Sequence, residues 1–208
     1  MKLLRVGTPG AEKPAILAAD GSIRDLSATV HDFDAATLSP GGLERLAQLD
    51  PMSLPVAAPG RIGPCVPRPL NFICIGLNYA DHAAETGAAI PKEPIVFLKS
   101  LGAFCGPNDD VHIPRGSTKT DWEVELCIVI GSRASYVSEA GAMDHVAGYC
   151  IVNDVSEREY QIERGGTWDK GKGCDTFGPV GPWMVTADEV ADPQALAMWL
   201  DVNGQRRQ

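Results

Sequence analysis

Asp121-Trp122-Glu123-Val124-Glu125-Leu126-Cys127-Ile128-Val129-Ile130-Gly131 reads as a strand that starts polar and runs into a core. Side chains alternate faces along a strand, so Glu123 and Glu125 share one side, about 6.6 Å apart. Trp122, Val124 and Leu126 take the other side. Two like charges at that spacing repel by about 2–3 kcal/mol at an effective dielectric near 20. The apolar run that follows leaves three ways to hold the pair: a cation, a shared proton or open water. A solvated strand face is the plain alternative.

Similar texture surrounds this strand. Phe72 to Leu77, Ile95 to Leu98 and Val146 to Val152 are short apolar runs bounded by turn residues, and each predicts a strand. Val137 to His145 predicts a short helix, and another is expected within Asp188 to Leu200. Ala15 to Ala19, the Asp20-Gly21 turn and Ser22 to Leu26 predict a hairpin. Ser39-Pro40-Gly41-Gly42 opens a helical pattern through Leu43, Leu46 and Leu49. Between Pro51 and Pro69 stand six prolines and two glycines, which excludes a regular helix or a central strand. The segment reads as an extended linker. The expected organisation is a small α/β unit over 1–50, a linker over 51–69 and a core over 70–208. The fold class is α+β and β-rich.

Composition narrows the function. Of 208 residues, 44% are hydrophobic and 22% charged, with a net charge of −9 and no Lys/Arg run. That disfavours nucleic acid and anionic membranes as partners. No apolar run approaches the roughly 20 residues that span a bilayer, and the first ten residues lack the apolar stretch of a signal peptide. A cytoplasmic protein is expected. Six cysteines are scattered without a C-x-x-C pair, which predicts reduced thiols rather than a disulfide framework or a zinc site.

Three further stretches carry chemistry. Gly148 to Asp154 is an apolar strand ending in a carboxylate. Together with Glu123 and Glu125, Asp154 would complete three oxygen donors, a set suited to Mg²⁺, with Mn²⁺ or Ca²⁺ as alternatives. In Gly76 to Glu85 (GLNYADHAAE), Asn78 or Asp81 could cap a helix that sets His82 and Glu85 on one face. A carboxylate beside an imidazole orients it as a general base, though an ordinary surface pair has the same spacing. In Gly171 to Pro182 (GKGCDTFGPVGP), Lys172 lies between two glycines in a turn-rich stretch. It is either a solvated loop lysine or a group that stabilises an oxyanion.

Taken in chain order, Gly76 to Glu85, Asp121 to Gly131, Asn153 to Gln161 (NDVSEREYQ) and Gly171 to Pro182 resemble the fumarylacetoacetate hydrolase family, over roughly Pro69 to Gln208. The resemblance implies a rolled mixed β-sheet, usually in a homodimer. It implies Glu123, Glu125 and Asp154 as Mg²⁺ ligands, His82 with Glu85 as water activator, and Lys172 in the active site. Gln161 matches a position near the substrate, and Arg158 matches a common family residue. The implied substrate is a small β-diketo acid, an acylpyruvate or a 2,4-diketo-3-deoxy sugar acid, cleaved to a pyruvate enolate. Oxaloacetate decarboxylation, keto–enol isomerisation, a ureidoglycolate lyase-like activity and an inactive metal-binding homologue stay open. At the end of the chain, Asn203-Gly204 predicts a hairpin turn with only Gln205 to Gln208 left to return. The chain is therefore expected to be cut there, with the C-terminal part of the family fold missing.

Overall fold

The quoted run becomes the edge strand of the main sheet. The computed structural model describes residues 1–208. The strands are β1 (Lys2–Val6), β2 (Lys13–Leu17), β3 (Ile23–Asp25), β4 (Ile73–Gly76), β5 (Ile95–Leu98), β6 (Phe104–Cys105), β7 (Thr120–Asp121), β8 (Val124–Ile130), β9 (Val146–Asn153), β10 (Ser156–Glu157) and β11 (Gly178–Thr186). The sheet order is β3-β2-β1-β11-β9-β8, antiparallel throughout, with β6 added parallel to β11. β8 and β9 pair from Val124↔Asn153 through Cys127↔Cys150 to Ile130↔Val146. β4 with β5, and β7 with β10, form small separate ladders. A last pair, β12 (Asp201–Val202) and β13 (Gln205–Arg206), turns at Asn203-Gly204, both left-handed.

Helices are few and short: α1 (Ala35–Leu38), α2 (Pro40–Ala47), α3 (Ala80–Thr86) and α4 (Trp168–Lys172). Ser39 caps α2 by accepting from Gly42 N, and Pro40 sits at the first turn, where its missing N–H is not needed. The helices expected over 137–145 and 188–200 are absent as α-helices. Glu139–His145, Ala187–Glu189 and Pro193–Ala195 are 3₁₀ turns instead. Gly141 lies inside the first of these and lowers its helix propensity, and Pro193 interrupts any helix that would run through it from Asp188, so that only a short turn starts at it. No helix is long and apolar enough to cross a membrane.

The sheet and the core run without a break across the expected boundary at Pro51–Pro69. β1 pairs with β2 on one side and β11 on the other. Leu3, Ile16, Leu26 and Phe33 pack in one cluster with Cys150, Val152, Val180 and Met184. The proline-rich segment opens with a 3₁₀ turn at Pro51–Ser53 and is extended only after it, where it is stitched to the sheet. Asp25 N donates to Pro55 O (2.8 Å), Gly7 N to Arg61 O (2.9 Å) and Gly63 N to Arg5 O (2.8 Å). Arg61 also pairs with Glu12 at 2.8 Å and Asp109 at 2.5 Å. All six cysteines are free.

One shared core should unfold in one step. Leu3 is fully buried at its centre, so Leu3→Ala should cost about 2–5 kcal/mol. Urea denaturation should show a single transition at a lower midpoint. Two separate transitions, only one of them moved by the substitution, would show that residues 1–50 fold on their own.

Candidate active site

The ladder of β8 and β9 ends at two carboxylates. Asp154 N donates to Glu123 O at 2.9 Å, so the two acidic residues leave the sheet side by side. Around them the structure builds a row of alternating charges. Lys99, just past β5, sets Nζ 2.5 Å from Asp154 Oδ1. Lys172 Nζ lies 2.8 Å from Asp154 Oδ2 and 2.5 Å from Glu123 Oε2. Arg158 Nη1 reaches Glu123 Oε1 at 2.6 Å, while its Nε and Nη2 donate to Asp121 Oδ2 at 2.9 and 2.7 Å. Burial works against the Asp154 carboxylate, but the two ammonium groups outweigh it and hold it below the usual range.

Local structure explains each placement. Lys172 ends α4 with its side chain buried, rather than lying in a solvated turn. α4 can come this close because Gly171 has no Cβ; one added there would sit 2.5 Å from Glu157 O and 2.6 Å from Gln161 Cβ. Glu157 is fully buried and accepts from the hydroxyls of Ser117 and Thr120. Gln161 and Arg158 are joined at 3.1 Å, and Gln161 lies in a π-helical turn over Glu159–Glu163. Gly76 at the end of β4 admits the Trp168 ring, which meets Phe97 edge-on at 5.4 Å.

Glu125 stands outside the row. It is partly buried and accepts one hydrogen bond, from Asn78 Nδ2 at 3.2 Å, and makes no salt bridge. Burial pushes its pKa up to about 7; the Asn78 bond and the more distant Lys172 ammonium oppose this, and the charges of Glu123 and Asp154 add to it. Asn78 therefore serves Glu125 and is not a helix cap. Tyr79 occupies the cap position of α3 without a side-chain bond, and Asp81 accepts from the neighbouring His82 N. On α3, His82 Nδ1 is 3.8 Å from Glu85 Oε2, longer than a hydrogen bond, and Glu85 is largely exposed.

All eight residues singled out in the sequence line one cavity of about 560 Å³: His82, Glu85, Glu123, Glu125, Asp154, Arg158, Gln161 and Lys172. Asp121 and Trp168 also line it, and Lys99 lies beneath it; sequence reading passed over all three. A signal for Lys99 existed, since a lysine directly after the apolar run Ile95–Leu98 needs an acidic partner if it is buried. No three acidic, cysteine or histidine groups converge on one point; Lys172 Nζ sits between Glu123 and Asp154. The donor set is all carboxylate, which suits a hard divalent cation. Glu125 is the one of the three that no cation neutralises. An ion held by all three would take the place of Lys172 Nζ beside Glu123 and Asp154.

Residues 71–208 match the profile of the fumarylacetoacetate (FAA) hydrolase C-terminal domain. The chain belongs to the fumarylacetoacetate hydrolase family. It is 65% identical over 209 residues to a Burkholderia multivorans protein named provisionally as a hydrolase, covering all of this chain and 74% of that one. A fumarylacetoacetate hydrolase from psychrophilic Exiguobacterium antarcticum superposes with a TM-score of 0.84 at 30% identity, over 100% of this chain and 74% of the other. A 5-carboxymethyl-2-hydroxymuconate delta-isomerase from Mycobacterium smegmatis does so with a TM-score of 0.72 at 30% identity, with 100% and 74% covered. The β-rich α+β fold is thus the family's, and the protein is an enzyme of hydrolase or isomerase type.

Two outcomes follow from the electrostatics. Glu125 is protonated in both folded and unfolded chains well below pH 4.5, its ordinary value. As pH rises, the unfolded chain releases that proton first, so stability falls, by up to about 1.4 kcal/mol per pH unit, and levels off above about 7. Urea titrations in chelator between pH 5 and 8 should show this loss in the wild type and not in Glu125→Gln; parallel curves would sink the assignment. Lys99→Met leaves Asp154 Oδ1 buried without its partner, which should cost about 3 kcal/mol. A melting temperature within a degree of wild type would contradict that.

Proposed function

We propose that this protein is a Mg²⁺-dependent hydrolase that cleaves a C–C bond in a β-diketo acid, either an acylpyruvate or a 2,4-diketo-3-deoxy sugar acid. The observation that carries the reading is Lys172. Its ammonium is buried between Glu123 and Asp154, in the same cavity as the uncompensated Glu125 and the His82–Glu85 pair. Glu123, Glu125 and Asp154 would hold the ion, and Mn²⁺ or Ca²⁺ would suit the same donors. When bound, the cation supplies Lewis-acid polarisation of the substrate's keto oxygen and neutralises its carboxylate.

The chain's own residues supply the rest. His82 Nδ1 faces Glu85, which leaves Nε2 to take a proton from water. The pair stands at 3.8 Å here and draws together around the substrate. The hydroxide adds to the distal carbonyl, and the adjacent C–C bond breaks. Its electron pair passes to the pyruvate fragment as an enolate, which Lys172 stabilises by donating to the enolate oxygen. The His82 imidazolium then returns its proton to the enolate carbon. Arg158 and Gln161, joined to each other at one wall, position the substrate's head. The likeness to a delta-isomerase favours a second reading, keto–enol isomerisation. There the same groups move a proton between carbon and oxygen, and no water adds.

Pyruvate release from acylpyruvates and diketo sugar acids should depend on Mg²⁺. It should fall about 10²–10⁴-fold in His82→Ala, the span a positioned base contributes, and vanish in Glu123→Ala. Calorimetry should show Mg²⁺ binding lost in Glu123→Ala and kept in His82→Ala. Full turnover in EDTA would sink the metal role. Proton exchange at the substrate without pyruvate release would favour the isomerase.

A further inference from the structure

The row of charges at the cavity balances by itself. Asp121, Glu123 and Asp154 face Lys99, Arg158 and Lys172, three carboxylates to three cations. Of these cations, Lys172 alone touches two of the residues expected to hold the ion. Its Nζ lies 2.5 Å from Glu123 Oε2 and 2.8 Å from Asp154 Oδ2. Lys99 reaches Asp154 only, on the other oxygen, and is tied to Val155 O at 3.1 Å. Arg158 reaches Glu123 only, and its Nε and Nη2 are anchored on Asp121. Lys172 is the one group that a cation bridging Glu123 and Asp154 must move.

Lys172 also has somewhere to go. Its ammonium stands 5.3 Å from the centre of the Phe97 ring, and Phe97 lines the same cavity. An aromatic face is attractive to an ammonium that has lost its carboxylates. The backbone of α4 need not follow, because the lysine stem is long and flexible. Charge then decides which ions can make the exchange. A monovalent cation brings the same single charge as the ammonium and gains nothing. A divalent ion brings twice that charge to the same two carboxylates and can add Glu125, which makes no salt bridge.

We infer that Lys172 is the site's resident counter-ion: it excludes monovalent cations, sets the affinity for divalent ones, and turns toward the substrate when one binds. This rests on the metal-dependent reading above and adds an order of events to it. While Lys172 bridges Glu123 and Asp154, its protons are aimed at carboxylates and not at an enolate oxygen. Once those carboxylates are taken, the ammonium is free beside Phe97. Cation binding and the arming of Lys172 are one event, and the substrate follows the cation.

Amine labelling reads the exchange without turnover. In EDTA-treated wild type, brief acetylation followed by peptide mass spectrometry should find Lys172 protected. Saturating Mg²⁺ should speed its labelling several-fold, while KCl of equal ionic strength leaves it protected and Lys99 stays protected throughout. Unchanged labelling of Lys172 in Mg²⁺, or equal release by KCl, would overturn the inference. Lys172→Met removes the competing charge, so calorimetry should show Mg²⁺ bound at least ~10-fold more tightly than by the wild type. Equal or weaker binding would also overturn it, and the labelling of the wild type decides the matter should the variant not fold. Mg²⁺ bound by neither protein sinks the metal reading and this inference together. Failure to release pyruvate from any β-diketo acid sinks the hydrolase reading alone and leaves the exchange standing.

Discussion

The buried carboxylate of Asp154, gripped on one oxygen by Lys99 and on the other by Lys172, is the constraint around which the site is arranged. Removing an ion from water costs several kcal/mol, and only close, well-aimed partners offset it. That demand fixes three elements at once: the end of β9 that carries Asp154, the end of β5 that leads to Lys99, and α4 that carries Lys172. None of them can shift without leaving a charge buried and alone. The row then extends outward through Glu123 and Arg158 to Asp121, where exposure rises and each pair contributes less.

The main sheet supplies the rigidity for this. β8 and β9 keep register for most of their length before they release Glu123 and Asp154. β9 is buried on both faces through most of its run. α3, with His82 and Glu85, is different in kind: it has a single buried residue, Ala83, and joins left-handed residues at Leu77 and Gly87. Two classes of support therefore meet in one cavity. The carboxylates and lysines are set by the core, whereas the imidazole rides on a short, exposed helix whose position the core does not dictate.

What was legible in the sequence was whatever depended on near neighbours. The alternation in β8, the Asp20-Gly21 hairpin and the Ser39 cap are local signals, and the structure carries each of them. Two of the three outcomes allowed for Glu123 and Glu125 are used: Glu123 takes the cations Arg158 and Lys172, and burial raises Glu125 so that it holds its proton up to about pH 7. Lys172 read as a loop residue because its flanking glycines depress helix propensity. Their purpose is steric and visible only once Glu157 and Gln161 are packed against Gly171. Lys99 went unnoticed because its partner lies 55 positions away. Asn78 looked like a cap because its role, too, depends on a distant residue, Glu125. The expected break near Pro51–Pro69 followed composition, which says nothing of the pairing between β1 and β11.

That proline-rich strap acts on the unfolded chain as well as on the folded one. Each proline fixes one backbone angle before folding begins, so the segment has fewer conformations to lose, a gain of about 0.4–1 kcal/mol at each position that tolerates it. A segment poor in regular hydrogen-bonded structure would otherwise be the weakest part of the molecule. Here it is laid in place by a handful of backbone bonds and the Arg61 ion pairs. Much of its contribution is made by what the disordered chain is prevented from doing.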